Sequence, residues 1–100
     1  MTFVIIDKPA AATQGIVYRK TIDKRVREAI DQGRVEALGI CQGTVQEVVV
    51  ASDVAEKAAE VIAGELNGTC PNHITCLVFV GSTSAVKNAM DAIRHRMEKK

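Results

Sequence analysis

Short apolar runs alternate along the chain with longer segments in which apolar residues recur every three to four positions. The runs predict strands over residues 3–6, 15–18, 37–41, 61–66 and 74–80, with a connector over 10–14. The periodic segments predict helices over residues 21–32 and 45–60, and a last helix that Ser82 or Ser84 caps. The element order β, β, α, β, α, β, β, α therefore predicts one α+β domain, an α/β sandwich with helices packed on a sheet.

The segment after the third predicted strand carries contradictory signals. Val48, Val49 and Val50 are β-branched and favour a strand by propensity. Thr44 and Glu47, however, have the spacing of a capping box, in which each side chain binds the backbone N–H of the other residue. Apolar residues then continue at helical spacing. Because propensity is the weaker signal, we predict one long helix over residues 45–60.

The composition excludes several classes of function. The 100 residues include 13 basic and 12 acidic ones, for a net charge of +1, which is too balanced to predict a nucleic-acid or membrane partner. The sequence contains neither an apolar run long enough to span a membrane nor a signal peptide, so we expect a cytoplasmic protein. It also lacks a phosphate-binding loop and a nucleophile–base pair, so we expect no enzyme. Residues 1–100 are predicted to form a single domain.

The loop between the last two predicted strands carries the most informative chemistry. Cys70 lies between Gly68, which permits unusual backbone angles, and Pro71, which stiffens the turn. Cysteine followed by proline also occurs in iron–sulfur loops, but one cysteine cannot supply the four ligands of a cluster or a zinc ion. From spacing alone, Cys70 is either an incidental loop thiol or one ligand of a site that several subunits share around an axis. His73 is either a substitute ligand or a polar loop residue.

The other two cysteines lie within predicted strands. Cys41 and Cys76 are expected to be small buried hydrophobes. With Cys70 they make an odd number in a reducing compartment, which argues against a disulfide framework.

Three motifs have the order and spacing of bacterial microcompartment shell domains. Glu36-Ala37-Leu38-Gly39 is similar to the family's E-A-L-G, and residues 51–61 are similar to its helix A-A-D-x-x-x-K-x-A-x-V. Residues 81–89 resemble its G-D-V-x-A-V-K-x-A. Each motif is weak alone, but together they cover about residues 36–97. The chain thus resembles the BMC-domain shell family.

The order of the elements resembles the circularly permuted branch of that family. A typical member continues past the last matched helix with another strand and helix, whereas here a strand at 15–18 and a helix at 21–32 precede the motifs. The resemblance therefore implies a circularly permuted BMC-domain fold, an antiparallel sheet with helices packed on it. In that branch an extra N-terminal strand can join its symmetry mates above a pore. This implies such a position for the leading segment 1–14, with its strand at 3–6.

Within this alignment the loop corresponds to the family's pore loop. It consists of Gly68, Thr69, Cys70, Pro71, Asn72 and His73. Its Gly-Thr-Cys-Pro resembles the G-x-C-P pore loop of a divergent group of shell proteins from glycyl-radical propanediol compartments, which is associated with an iron–sulfur cluster. The resemblance implies homohexamers that tile a shell with other shell proteins. It also implies a cluster of the 4Fe–4S type, bound by Cys70 of several subunits at the central pore, for electron transfer or redox gating.

Two further inferences depend on the resemblance. Lys57 matches the edge lysine through which neighbouring hexamers meet, although on residue type alone it is a solvated helix lysine. Gly81-Ser82 replaces the family's Gly-Asp, and the pore loop is longer and different, so transport of the usual small metabolites is not implied. The alternative function is a small regulatory or ligand-binding α+β domain without metal, which would be a colourless monomer or dimer.

Overall fold

The computed structural model describes residues 1–67 and 74–98. The elements in these residues are β1 (Thr2–Asp7), α1 (Ala11–Lys20), α2 (Lys24–Asp31), β2 (Ala37–Thr44), α3 (Val45–Ala58), β3 (Ile62–Leu66), β4 (Ile74–Gly81) and α4 (Thr83–Glu98). The strands form one sheet in the order β1-β2-β4-β3, and every neighbouring pair is antiparallel. The predicted α+β fold with helices on an antiparallel sheet is confirmed.

The central strands β2 and β4 bury apolar side chains on both faces of the sheet. Leu77 and Phe79 belong to a core that α3 and α4 cover. Their neighbours Val78 and Val80 belong to a second core, together with Val17 of α1 and residues of α2. Because successive strand residues point to opposite faces, the apolar run of β4 supplies both cores, which makes the domain a sandwich with helices on each side.

The capping box at the start of α3 is present as predicted. The Thr44 hydroxyl oxygen accepts a hydrogen bond from the Glu47 backbone N–H at 3.2 Å, and Glu47 Oε1 accepts one from the Thr44 N–H at 2.9 Å. The buried residues of α3 are Val48, Ala51 and Ala55, at helical spacing. The cap thus fixes a helix in a segment that β-propensity assigned to a strand.

The last helix, α4, begins where one of the two predicted caps lies. The Ser82 Oγ accepts a hydrogen bond from the Ala85 N–H at 3.1 Å. Met90, like Val86, packs against the sheet at Gly39, where an added Cβ would lie 2.8 Å from a side-chain atom of each. Gly39, the last residue of the E-A-L-G motif, therefore lets α4 approach the sheet closely.

The prediction for residues 10–18 is wrong. Residues 15–18 are not a strand, and 10–14 is not a simple connector, because α1 spans Ala11–Lys20. The strand that completes the sheet is β1, which pairs with β2 from Thr2↔Gln42 to Asp7↔Ala37. The strand transferred to the front of the permuted fold is therefore β1, and not residues 15–18. Residues 3–6 are therefore part of the domain's own sheet and not an extra strand outside it, as the resemblance implied. The position of residues 1–14 relative to a pore concerns an assembly and stays a prediction.

The second helix, α2, starts three residues later than predicted because Asp23 caps it. Asp23 Oδ1 accepts hydrogen bonds from the backbone N–H groups of Arg25 and Val26. Arg27 links α2 to α1, since its Nε donates a hydrogen bond to the Tyr18 backbone carbonyl at 3.2 Å. Its guanidinium also lies 5.2 Å from the centre of the Tyr18 ring. Within the described residues, the helices are all too short or too polar to cross a membrane.

Candidate pore loop and tile edges

The predicted pore loop closes the hairpin between β3 and β4. Its six residues, Gly68, Thr69, Cys70, Pro71, Asn72 and His73, lie outside the described residues. Its two flanks are described: Leu66 near the end of β3 pairs with Cys76 near the start of β4. Ile74 also pairs with Thr44, so the start of β4 and the N-terminus of α3 lie at the same end of the sheet.

The base of this loop is held from both sides. The Asn67 backbone N–H donates a hydrogen bond of 2.6 Å to the Lys20 carbonyl at the end of α1. Leu66 forms a β-bridge with Thr21, which is fully buried. Since β4 holds Leu66 on its other side, the last residues before the loop are fixed between a strand and a helix end. A loop that carries a ligand is positioned better by such rigid supports than by a free strand end.

The two cysteines in the strands lie on opposite faces of the sheet. Cys41 is fully buried in the core beneath α3 and α4, as predicted. Burial, reinforced by the electrostatic influence of the neighbouring Cys76, raises the pKa of the Cys41 thiol to about 12. Because the thiolate is the form that binds metals, Cys41 is poorly suited to be a ligand. Cys76 is only partly buried, so the prediction of a buried strand cysteine holds fully for Cys41 alone.

Lys57 lies in the last turn of α3, far from the loop. Its side chain is 76% exposed, and its Nζ lies 3.1 Å from the Asp53 carboxylate one turn earlier. Lys57 follows Val45 by twelve helical residues, which correspond to about 18 Å along the axis. Exposed ion pairs of this kind contribute little to stability, so the lysine can exchange its partner at low cost.

A bracket of two side chains covers the outer edge of β3 at Ala63, and no sequence motif predicts it. The Ala63 N–H donates to Glu56 Oε2 at 3.0 Å, and the Ala63 carbonyl accepts from Arg25 Nη2 at 3.1 Å. Arg25 and Glu56 also form an ion pair of 3.2 Å with each other. The two residues are 31 positions apart, on α2 and α3, and meet only because both helices border the same strand. We call this arrangement the β3 bracket.

The described residues contain no group of three or more His, Cys, Asp or Glu side chains that could hold a metal ion. Comparison with curated protein sequences gives no significant match. The family model of the BMC domain, in contrast, matches residues 33–100, which is more than half of the chain. The chain belongs to the BMC-domain family. This BMC-domain protein is thus a microcompartment shell protein and not an enzyme, and the alternative of a regulatory domain is not supported.

Solved structures of shell proteins resemble this BMC-domain protein over nearly its whole length. The GrpU microcompartment shell protein from Clostridiales bacterium 1_7_47FAA is 30% identical, with 99% of this chain and 94% of that chain covered and a TM-score of 0.72. The GrpU protein from Pectobacterium wasabiae is 26% identical, with 93% and 99% covered and a TM-score of 0.72. These matches confirm the predicted resemblance to a divergent group of microcompartment shell proteins.

A third structure supports the permuted order of the elements. The fused permuted hexameric shell protein MSM0275 from the RMM microcompartment matches 99% of this chain and 46% of that chain, with a TM-score of 0.72. At 24% identity it shows the fold alone. In this BMC-domain protein, the permuted order is visible in β1, which precedes the E-A-L-G motif and completes the sheet beside it.

Proposed function

We propose that this BMC-domain protein forms cyclic hexamers in the cytoplasm, which tile a microcompartment shell together with other shell proteins. We further propose that Cys70 from several subunits binds a 4Fe–4S cluster at the central pore. The observation that supports both statements is that the two flanks of the loop lie at one end of the sheet, where Asn67 is bonded to Lys20 and Leu66 is bridged to Thr21.

The shape of the chain supports a flat ring. Its extents are 38 × 32 × 19 Å, so it is a slab rather than a sphere. The flanks of the loop lie at the end of the sheet where α3 begins, and Lys57 lies in the last turn of α3, away from that end. If the loop end points to a sixfold axis, the six Cys70 residues gather at the centre and the six Lys57 residues lie on the rim. Closed rings of this kind bring together ligands that one subunit cannot supply.

Among the described residues, no group of three or more His, Cys, Asp or Glu side chains competes with the loop as a metal site. Of the two cysteines in the described residues, Cys41 is sealed in the core in its protonated form, and Cys76 points to the opposite face of the sheet. A cubane cluster has four irons, so three or four Cys70 thiolates would hold it and the others would stay without iron. When bound, such a cluster would supply a one-electron redox couple within the shell wall. The protein's own part is to hold Cys70 at the axis, through the anchors at the base of the loop.

The cluster is tested by comparing the wild type with two cysteine variants, Cys70→Ser and the matched control Cys76→Ser. Each is purified without oxygen, and the absorption spectrum, iron, sulfide and mass are measured. We expect a brown wild-type hexamer, a brown Cys76→Ser hexamer and a colourless Cys70→Ser hexamer. Normal iron and sulfide in Cys70→Ser would refute the ligand assignment. A wild-type hexamer that stays colourless after reconstitution would be a plain tile, and a wild-type monomer would refute the tile itself.

Lys57 supplies a separate test of tiling. Because its ion pair with Asp53 is exposed, Lys57→Ala should leave the fold and the ring intact while removing an edge contact between hexamers. We expect electron micrographs to show single rings in place of extended sheets. Lys87→Ala, which removes an exposed lysine from α4, is the matched control and should still form sheets. Sheets of normal size from Lys57→Ala would show that this lysine is not part of the edge.

A further inference from the structure

We propose that a group of exposed basic side chains beside the loop docks an acidic electron-carrier protein, which exchanges electrons with the iron–sulfur cluster proposed above. This inference rests on the proposed function, because it names the partner of the cluster at Cys70. The group, called the basic patch, is defined by Arg19, Lys20 and Lys24.

The end of α1 holds the basic patch against the base of the loop. The Lys20 carbonyl accepts the 2.6 Å hydrogen bond from the Asn67 N–H, and Asn67 is the last described residue before the loop. The residue after Lys20 is Thr21, which is bridged to Leu66. Arg19 and Lys20 therefore lie at the base of the loop. In a ring whose loops meet at the axis, equivalent subunits would surround the pore with copies of this patch.

The charges of the basic patch are not neutralised by other described residues. All three side chains are exposed, and none of them forms an ion pair within the part of the chain that the structure describes. The nearby Arg25 differs, because Asp23 and Glu56 both pair with it. Residues 19–27 contain five of the 13 basic residues and only one of the 12 acidic ones. Positive charge is thus concentrated where α1 ends and α2 begins.

The side chains around the basic patch fit a protein partner better than a nucleic acid. Ile16 and Ile22 are 51% and 63% exposed, and Ile16 precedes Lys20 by one helical turn on the same side of α1. Apolar side chains among charges suit the small interfaces through which redox proteins meet. Tyr18 is half-buried, and the Arg27 guanidinium lies 5.2 Å from its ring centre, so this ring is not free to stack on a base.

The complementary partner is a small protein with acidic side chains around its redox group. Opposite charges raise the rate of encounter by about ten- to a thousandfold at low ionic strength. At a salt concentration of 0.1 M this attraction extends about 10 Å, so it acts close to the surface. Because the basic patch adjoins the loop, it would bring the carrier to the place where the cluster is held.

Binding is tested with oxidised flavodoxin, a small acidic one-electron carrier, as the probe. The parent is the colourless Cys70→Ser hexamer, so that flavin absorbance alone reports bound flavodoxin in sedimentation velocity. We expect flavin to sediment with the hexamer at low ionic strength and to be released at high ionic strength. Adding Arg19→Gln and Lys20→Gln to the parent should weaken binding by about tenfold or more. Adding Lys87→Gln, which removes an exposed lysine from α4, is the matched control and should leave binding unchanged.

Electron exchange is tested with the wild-type hexamer in stopped-flow experiments. Flavodoxin hydroquinone is mixed with the oxidised hexamer, and flavodoxin semiquinone is mixed with the reduced hexamer, because one of these two directions is downhill. In the first mixture the anionic hydroquinone gives one electron to the cluster and becomes the neutral semiquinone, and the second mixture is the reverse. We expect the rate to fall as ionic strength rises, and to fall about tenfold or more when Arg19 and Lys20 are both glutamine.

The remaining outcomes separate this inference from the proposed function. Binding that the double substitution leaves unchanged, or that Lys87→Gln weakens equally, would overturn the basic patch as the docking surface. Binding without electron exchange in either direction would overturn the electron carrier as the partner. A wild-type hexamer without iron would refute the proposed cluster and the electron exchange, whereas salt-dependent binding to the Cys70→Ser hexamer would still support the basic patch. Circular dichroism checks the fold, and Lys24→Gln repeats the test if the double variant does not fold.

Discussion

Replacing Gly39 by alanine tests how closely α4 packs on the sheet. An added Cβ would lie 2.8 Å from Met90 Cε, 2.8 Å from Val86 Cγ1 and 3.1 Å from Phe79 Cδ2. All three neighbours are at most 1% exposed, so none can move towards solvent without disturbing the core. The flexible end of Met90 can yield, but Val86 is β-branched and fixed on its helix.

The expected cost follows from this crowding. Inserting a methyl group into a well-packed core typically costs about 1–3 kcal/mol. The lower entropy of the unfolded alanine chain offsets about 0.4–1 kcal/mol. We therefore expect Gly39→Ala to lower the free energy of unfolding by roughly 1–2 kcal/mol and the melting temperature by about 5–15 °C.

The matched control is Gly15→Ala, for which the structure predicts the opposite sign. Gly15 lies inside α1, and its added Cβ would meet only Arg19 Nη1, at 3.5 Å. Alanine in a helix interior is favoured over glycine by about 0.5–1 kcal/mol, so this variant should be more stable than the wild type. Urea unfolding, followed by circular dichroism at one fixed protein concentration, measures both variants, since assembly raises apparent stability. Equal stability of Gly39→Ala and wild type would refute the close packing of α4.

Two further predictions concern ionisable side chains. Burial raises the pKa of Asp23, but hydrogen bonds from the Arg25 side chain and from the backbone N–H groups of Val26 and Arg25 outweigh it, so the net pKa is lowered. Asp23→Ala should therefore lower the free energy of unfolding by about 1 kcal/mol at neutral pH. This difference from the wild type should shrink as the pH falls below 3.8, because the Asp23 carboxylate is then protonated. Urea titrations measure the difference, and a value at about pH 2 equal to that at neutral pH would contradict the reasoning. The Cys41 thiol, with a pKa of about 12, should react with iodoacetamide far more slowly in the folded protein than in urea, as measured by peptide mass spectrometry. Because the pKa of this thiol in the unfolded chain is near 9.0, the contribution of Cys41 to stability should be complete below pH 9 and decline between pH 9 and 12. Cys41→Ala should weaken this decline. Fast labelling of Cys41 in the folded protein would refute its burial.

The helix α3 shows what the sequence could predict and why. Val48, Val49 and Val50 favour a strand, yet Thr44 and Glu47 are close in sequence and satisfy each other's backbone groups. A local signal of this kind is readable without the tertiary structure. The strands around the two cores were predicted for the same reason, since their apolar runs are continuous.

The helix α1 shows where prediction failed. Of its ten residues only Val17 is buried, so the helix has no apolar stripe that periodicity could reveal. Ile16, Val17 and Tyr18 instead form a short β-prone run. What holds the segment as a helix is tertiary contact: Val17 packs into the second core, and the bridge at Thr21 fixes its end. Such contacts depend on residues far away along the chain.

The candidate site likewise has features that the sequence could predict and features that it could not. Cys70 was singled out by its Gly-x-Cys-Pro neighbours, which are local, and the described flanks of the loop agree with a hairpin at the end of the sheet. The β3 bracket, in contrast, is visible only once α2 and α3 are placed beside the strand.

The β3 bracket has a consequence for solubility. A shell protein is made in many copies and packed side by side, which is the situation in which open strand edges join into fibrils. Because Arg25 and Glu56 already bind the Ala63 carbonyl and N–H, a strand of another copy cannot form hydrogen bonds with these groups. The β3 bracket therefore removes one backbone pairing site from this outer strand, which lowers its tendency to pair with a strand of another copy.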